Sequence, residues 1–131
     1  MNESTSKSAN MRRLESIALA LPEAIRVDIE AWEGEPTFRV RGKNFIFTDP
    51  AATGISVKLP KDEAAAIVDS DRAVEPTGYG LGRHGWISVK IPARTSAARW
   101  YELEEWIRTS YTLVAPKKLA QIVLDEDNAR R

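Results

Sequence analysis

The sequence contains no cysteine, which excludes disulfides, thiolate zinc sites and cysteine nucleophiles. It has a single histidine, His84, so no multi-histidine metal site can be built and only one imidazole base is on offer. It also lacks net charge: 19 Lys+Arg stand against 19 Asp+Glu. A protein that grips nucleic acid without regard to sequence is normally basic overall, so any such role here must rest on a local patch. Apolar runs are short; the one at residues 17–21 falls far below the roughly 20 residues of a spanning helix, and no membrane partner is expected. Residues 1–10 are rich in Ser, Thr and Asn with no apolar core, unlike a signal peptide, and the expected location is the cytoplasm.

What is present is ordinary globular material. The 131 residues are 43% hydrophobic and 29% charged, enough for one domain with a real core. The expected organisation is a disordered leader over 1–9, a single domain over 10–124 and a charged tail over 125–131.

Hydrophobic spacing predicts a helix beginning at a cap on Asn10 and burying Met11, Leu14, Ile17, Ala18 and Leu21. After Pro22 the period switches to two, with Ile25, Val27 and Ile29 alternating with Arg26, Asp28 and Glu30 as in a half-buried strand. Phe38 and Val40, then Phe45 and Phe47, read as a hairpin turning on Gly42-Lys43. A strand over 54–59 and a short helix from Pro60 to Val68 follow, the proline and the acids Asp62 and Glu63 suiting a helix start. A short strand over 73–76 leads into a glycine-rich loop, Gly78 to Gly85, and then to a strand from Trp86. Thr95 or Ser96 caps a long helix carrying Ala97, Trp100, Leu103, Ile107 and Tyr111, which Pro116 ends.

Turning the first two strands about Gly34-Glu35 places Glu30 opposite Arg39, Asp28 opposite Arg41 and Trp32 opposite Thr37, with Ile29 against Val40 and Ala31 against Phe38 inside. The next hairpin sets Val40 against Phe45 and Phe38 against Phe47. The result is an α+β two-layer sandwich, an antiparallel sheet with helices packed on one face. Its other face carries Arg39, Arg41, Ser56, Lys58, Ser88 and Lys90 with Trp32 and Trp86.

The run Pro36-Thr37-Phe38-Arg39-Val40-Arg41-Gly42-Lys43-Asn44-Phe45 resembles a hairpin of the MmcQ/YjbR family. Ser56-Val57-Lys58-Leu59, Gly85-Trp86, Ser110 to Val114 and the Ala18 to Glu23 segment are similar too, in the same order along the chain. The resemblance implies a frataxin-like (CyaY-like) fold and a DNA-binding role, as members of that family are commonly labelled.

Three chemistries compete for this chain. On the sheet face, Arg39, Arg41, Lys43, Lys58 and Lys90 can neutralise phosphates of DNA or single-stranded nucleic acid while Trp86 stacks on a base; the plain alternative is that Glu30 and Asp28 occupy Arg39 and Arg41. In the glycine-rich loop, Arg83 and His84 with backbone N–H groups suit an anion, although a flexible connection explains the same residues. Catalysis has no support: His84 has no local nucleophile, no paired carboxylates or metal cluster stand out, and no cofactor is expected. A frataxin-type iron ridge is also excluded, because the first helix carries Arg12 and Arg13. The expected function is a non-catalytic nucleic-acid-binding module. The competing class is a protein-interaction or small-ligand adaptor, which Tyr101 and Trp106 on the long helix would serve.

Overall fold

The computed structural model describes residues 8–30 and 35–130. Among these the elements are α1 (Ala9–Ala18), β1 (Ile25–Ile29), β2 (Glu35–Val40), β3 (Lys43–Thr48), β4 (Gly54–Lys58), α2 (Lys61–Ser70), β5 (Val74–Pro76), β6 (Trp86–Lys90), α3 (Ala97–Val114) and α4 (Lys117–Ala129). A 3₁₀ turn at Leu81–His84 joins β5 to β6. The strands form one six-stranded antiparallel sheet in the order β1-β2-β3-β4-β6-β5. Met11 and Leu14 of α1, with Leu103, Ile107 and Tyr111 of α3, share one core with Phe38, Val40, Phe45, Ile55, Val57, Ile87 and Val89 of the sheet. The architecture is the expected α+β one, with the opposite face of the sheet left open among the described residues.

The register of β1 differs from expectation. Ile29 lies opposite Glu35 rather than Val40, a slip of five residues, and an odd slip moves every side chain to the other face. Ile25, Val27 and Ile29 therefore join the open face, while Arg26 turns to the helix side and binds Glu15 of α1 and Asp28, each at 2.9 Å. The pairs Glu30–Arg39 and Asp28–Arg41 do not form. Asp28 serves Arg26, and Arg41 serves Glu23. The charged residues of β1 find partners on the helix side, and that outweighs hiding the apolar stripe of an edge strand. Trp32, Ala31 and Gly34, which the expected register also used, lie outside the described residues.

The hairpin between β2 and β3 turns one residue early. Val40 faces Lys43, so the turn is Arg41-Gly42, both at positive φ of 50° and 80°, as a type I′ turn requires. A bulge between Phe38 and Arg39 then shifts the pairing to Phe38 with Ile46 and Thr37 with Phe47. Phe45 and Ile46 both become fully buried, because a bulge lets consecutive residues share a face. Phe47, expected in the core, crosses to the open face and meets Trp86 edge-on at 5.3 Å.

Past the bulge β3 and β4 separate, their pairing ending at Phe47 with Ser56. Ser110 of α3 fills the gap. Its hydroxyl donates to the Phe45 carbonyl at 2.7 Å and accepts from the Lys58 N–H at 2.9 Å. Next to it, Tyr111 packs edge-on to Phe45 and donates to the Pro22 carbonyl at 2.6 Å.

The helix ends show two further differences. Ser8, not Asn10, caps α1 by accepting from the Met11 N–H at 3.0 Å. Asn10 is buried, and its side-chain amide donates to the Ile91 and Ala52 carbonyls at 2.9 and 3.1 Å. The segment expected as a charged tail continues α4 through Ala129. Its Glu126 and Asp127 accept from the nearly buried Arg108 at 2.9 and 2.7 Å, which fastens α4 to α3.

Ser110→Ala takes this partner from the buried Phe45 carbonyl and the part-buried Lys58 N–H, and the expected loss is about 1–3 kcal/mol. It is read as a lower urea midpoint at unchanged slope. Leu103→Ala, at a fully buried position, is expected to cost about 2–5 kcal/mol in the same assay.

Candidate binding face

Cross-strand partners place the open face in three rows. The first contains Ile25, Arg39, Asn44, Lys58 and Trp86, since Ile25 faces Arg39, Arg39 faces Asn44 and Lys58 faces Trp86. The second runs Val27, Thr37, Phe47, Ser56, Ser88 and Glu75. The third holds Ile29, Glu35, Gly54 and Lys90.

The first row lies at the end of the sheet where β2 turns into β3, β4 ends and β6 begins. Leu59 N–H donates to the Gly85 carbonyl there at 2.9 Å, so the Leu81–His84 turn sits at the same end. Arg39, Arg41, Lys43, Lys58, Arg83, His84 and Trp86 thus gather at one end of the sheet, but Lys43, expected on the open face, pairs with the core residue Val40 and so stands on the helix side. Lys90 stands apart, four residues further along β6, or about 13 Å. Among the described residues Arg39, Lys43, Lys58, Arg83 and Lys90 form no ion pair. Arg39 spends one donor on the Thr37 hydroxyl at 3.2 Å. No strand residue of the first row is acidic.

Two expected members are already engaged. Trp86 is 8% exposed and its ring is packed against Phe47, so it supports the face from within rather than offering a free stacking surface. Arg41 is held by Glu23 through two hydrogen bonds, of 2.5 and 2.9 Å. Elsewhere, Trp106 is half-buried under the Arg99 guanidinium at 5.6 Å, whereas Tyr101 is exposed.

The far end of the face is different. A cleft of about 380 Å³ opens over Gly54, Ser56 and Ser88, bounded by Glu35, Phe47 and Asp49 on one side and Arg72, Glu75 and Lys90 on the other. The Ser56 and Ser88 hydroxyls lie 2.8 Å apart, and Thr77 extends the chain to Ser88 at 3.0 Å. Asp49 is committed to its own loop, accepting from the Ala51 and Thr53 N–H groups and the Thr53 hydroxyl. The sequence reading missed this cleft. The slip of β1 and the bulge of β2–β3 put Glu35 and Phe47 on its wall, and neither is signalled by residue spacing.

A family model described as YjbR matches residues 19–113. The chain is similar in structure to the Deinococcus radiodurans protein DR2400, solved by crystallography with a domain described as DUF419, at a TM-score of 0.64 and 21% identity over 86% of each chain. No curated protein matches.

The Arg41 hydrogen bonds hold the Glu23 carboxyl below its ordinary value of 4.5. A carboxyl depressed in the folded state adds stability that is present above its ordinary value and lost as pH falls through the depressed one. In Arg41→Gln the Glu23 titration, followed by carboxyl NMR, is expected to move back up. The stability gap from wild type is expected to close on acidification.

Proposed function

We propose, proceeding from the fact that this chain belongs to the YjbR family, that it is a non-catalytic module binding nucleic acid in single-stranded form at the basic end of its open sheet face. The observation that carries this reading is the gathering of Arg39, Lys58 and Arg83 at one end, without ion pairs among the described residues. Side chains that are not already neutralised are the ones that release counterions from a phosphate backbone. The sheet supplies the flat support, and the Phe47–Trp86 pair on the same face stiffens it. Affinity then comes from charge more than from stacking, because Trp86 is enclosed.

The zero net charge of the whole chain limits the strength of such binding. If about three phosphates are neutralised, the slope of log affinity against log salt is roughly −2 on a single strand, a loss of nearly twenty-fold between about 50 and 200 mM salt.

The test is a salt titration of a labelled single-stranded oligonucleotide. The double change Arg39→Glu/Lys58→Glu is expected to abolish binding at low salt, and Lys90→Glu, at the far end, to leave most of it. Trp86→Ala is expected to lower thermal stability while changing affinity little in the folded fraction. No binding by wild type at low salt, or equal binding by wild type and the double variant, sinks the reading in favour of a protein or small-ligand adaptor.

A further inference from the structure

The cleft at the other end of the face has walls of opposite sign. On the β2–β3 side stand Glu35 and, behind it, Asp49; on the β5–β6 side stand Arg72 and Lys90 with the single acid Glu75. Four of these groups, Glu35, Arg72, Glu75 and Lys90, share one cleft, and among the described residues none of them forms an ion pair. One carboxylate oxygen of Glu35 is enclosed without a hydrogen-bond partner among the described residues. Charges held apart in this way are available to a ligand bearing both signs. From this arrangement we infer that the cleft is a binding site for a small zwitterion whose ammonium meets Glu35 and whose carboxylate meets Lys90 and Arg72.

The spacing selects the size of that ligand. Glu35 and Lys90 stand on strands separated by β3 and β4, three inter-strand steps or about 14 Å between backbones. Side chains reaching inward from both walls close roughly half of this. A dipeptide, with its charges about 7 Å apart in extended form, bridges what is left. A single α-amino acid holds its two charges too close together to meet both walls. Beneath the ligand, the linked hydroxyls of Ser56, Ser88 and Thr77 offer donors and acceptors to a peptide group, and Phe47 supplies an apolar flank. This site does not rest on the nucleic-acid reading, because none of the cations of the basic end takes part.

The test uses the full chain and amide NMR, with alanyl-alanine as probe. It is compared with its N-acetylated form, its C-terminal amide, free alanine and 6-aminohexanoate, which keeps a wide charge spacing without a peptide bond. Alanyl-alanine is expected to shift the amides of residues 54–56 and 88–90, and either blocking group to weaken binding at least about tenfold, as for loss of one charge-assisted contact. The double change Lys90→Gln/Arg72→Gln is expected to remove the penalty for amidation and keep that for acetylation, with Lys90→Gln alone lessening it; Glu35→Gln is expected to remove the penalty for acetylation and keep that for amidation. These side chains lie outside the core, and the same spectra report whether each variant is folded. If 6-aminohexanoate equals the dipeptide, charge spacing alone is read; if the dipeptide is better, the hydroxyl floor reads the peptide group. Absence of shifts with every probe at millimolar concentration overturns the site. So does equal binding of blocked and free dipeptide, or an amidation penalty that survives Lys90→Gln/Arg72→Gln. Oligonucleotide shifts at residues 39, 43 and 58 report the basic end separately, so either reading can fail alone.

Discussion

The Ser110 hydroxyl holds together the part of the molecule on which both ends of the open face depend. β3 joins β4 only from Phe47 onward, and without a bridge the buried Phe45 carbonyl and the part-buried Lys58 N–H would lack this partner. An unsatisfied backbone group in the interior costs as much as a lost hydrogen bond or more. A helix residue supplies both missing partners at once. The bulge can therefore persist, and α3 is fixed to the sheet by a polar contact as well as by the apolar stripe of Leu103 and Ile107. Because the anchored residue is Lys58, the same contact sets where the side chains of the first row stand.

The bulge in turn decides what the open face can do. It leaves Phe45 and Ile46 together in the core and sends Phe47 across the sheet, where it walls the cleft and packs on Trp86. An unbulged hairpin would keep Phe47 under the helices and leave Trp86 without its aromatic neighbour. Pre-organisation of the face thus comes from a local irregularity in β2–β3 pairing that α3 makes affordable.

Much of this was legible in the residues, and the failures have physical causes. β4, α2, β6 and α3 were readable because their apolar positions have one period and clear ends: Pro60 at the start of α2, Ser96 capping α3, Pro116 after it. β1 was misread because alternation reports which residues share a face, not which face it is. Ile25, Val27 and Ile29 looked like a core stripe, but Arg26 between them reaches Glu15 of α1 on the helix side and also pairs with Asp28. The β2–β3 turn failed differently. Glycine at position 42 suits either the second place of a type I′ turn or the first place of a type II′ turn, and choosing the latter moves the turn by one residue and the pairing of Val40 by two, from Lys43 to Phe45. The basic residues were found from the sequence, as was the face for Arg39, Lys58, Trp86 and Lys90. Their gathering at one end, with Lys90 excluded, needed the observed register.

That separation explains how a chain with no net charge can carry an electrostatic surface. Neutrality is a sum over the molecule, while a ligand responds to charge within about 8–10 Å at moderate salt. Here several acids are consumed locally: Glu23 by Arg41, Glu15 and Asp28 by Arg26, Asp71 by Arg99, Glu126 and Asp127 by Arg108. These pairs lie off the open face or at its margin, so they cancel each other without neutralising Lys58 or Arg39. The remaining acids of the face, Glu35 and Glu75, sit beyond the Thr37–Phe47–Ser56 row or at its β5 edge. A basic end and a mixed-charge cleft therefore coexist on one sheet about 13 Å apart along the strands, beyond the screening length that would merge them.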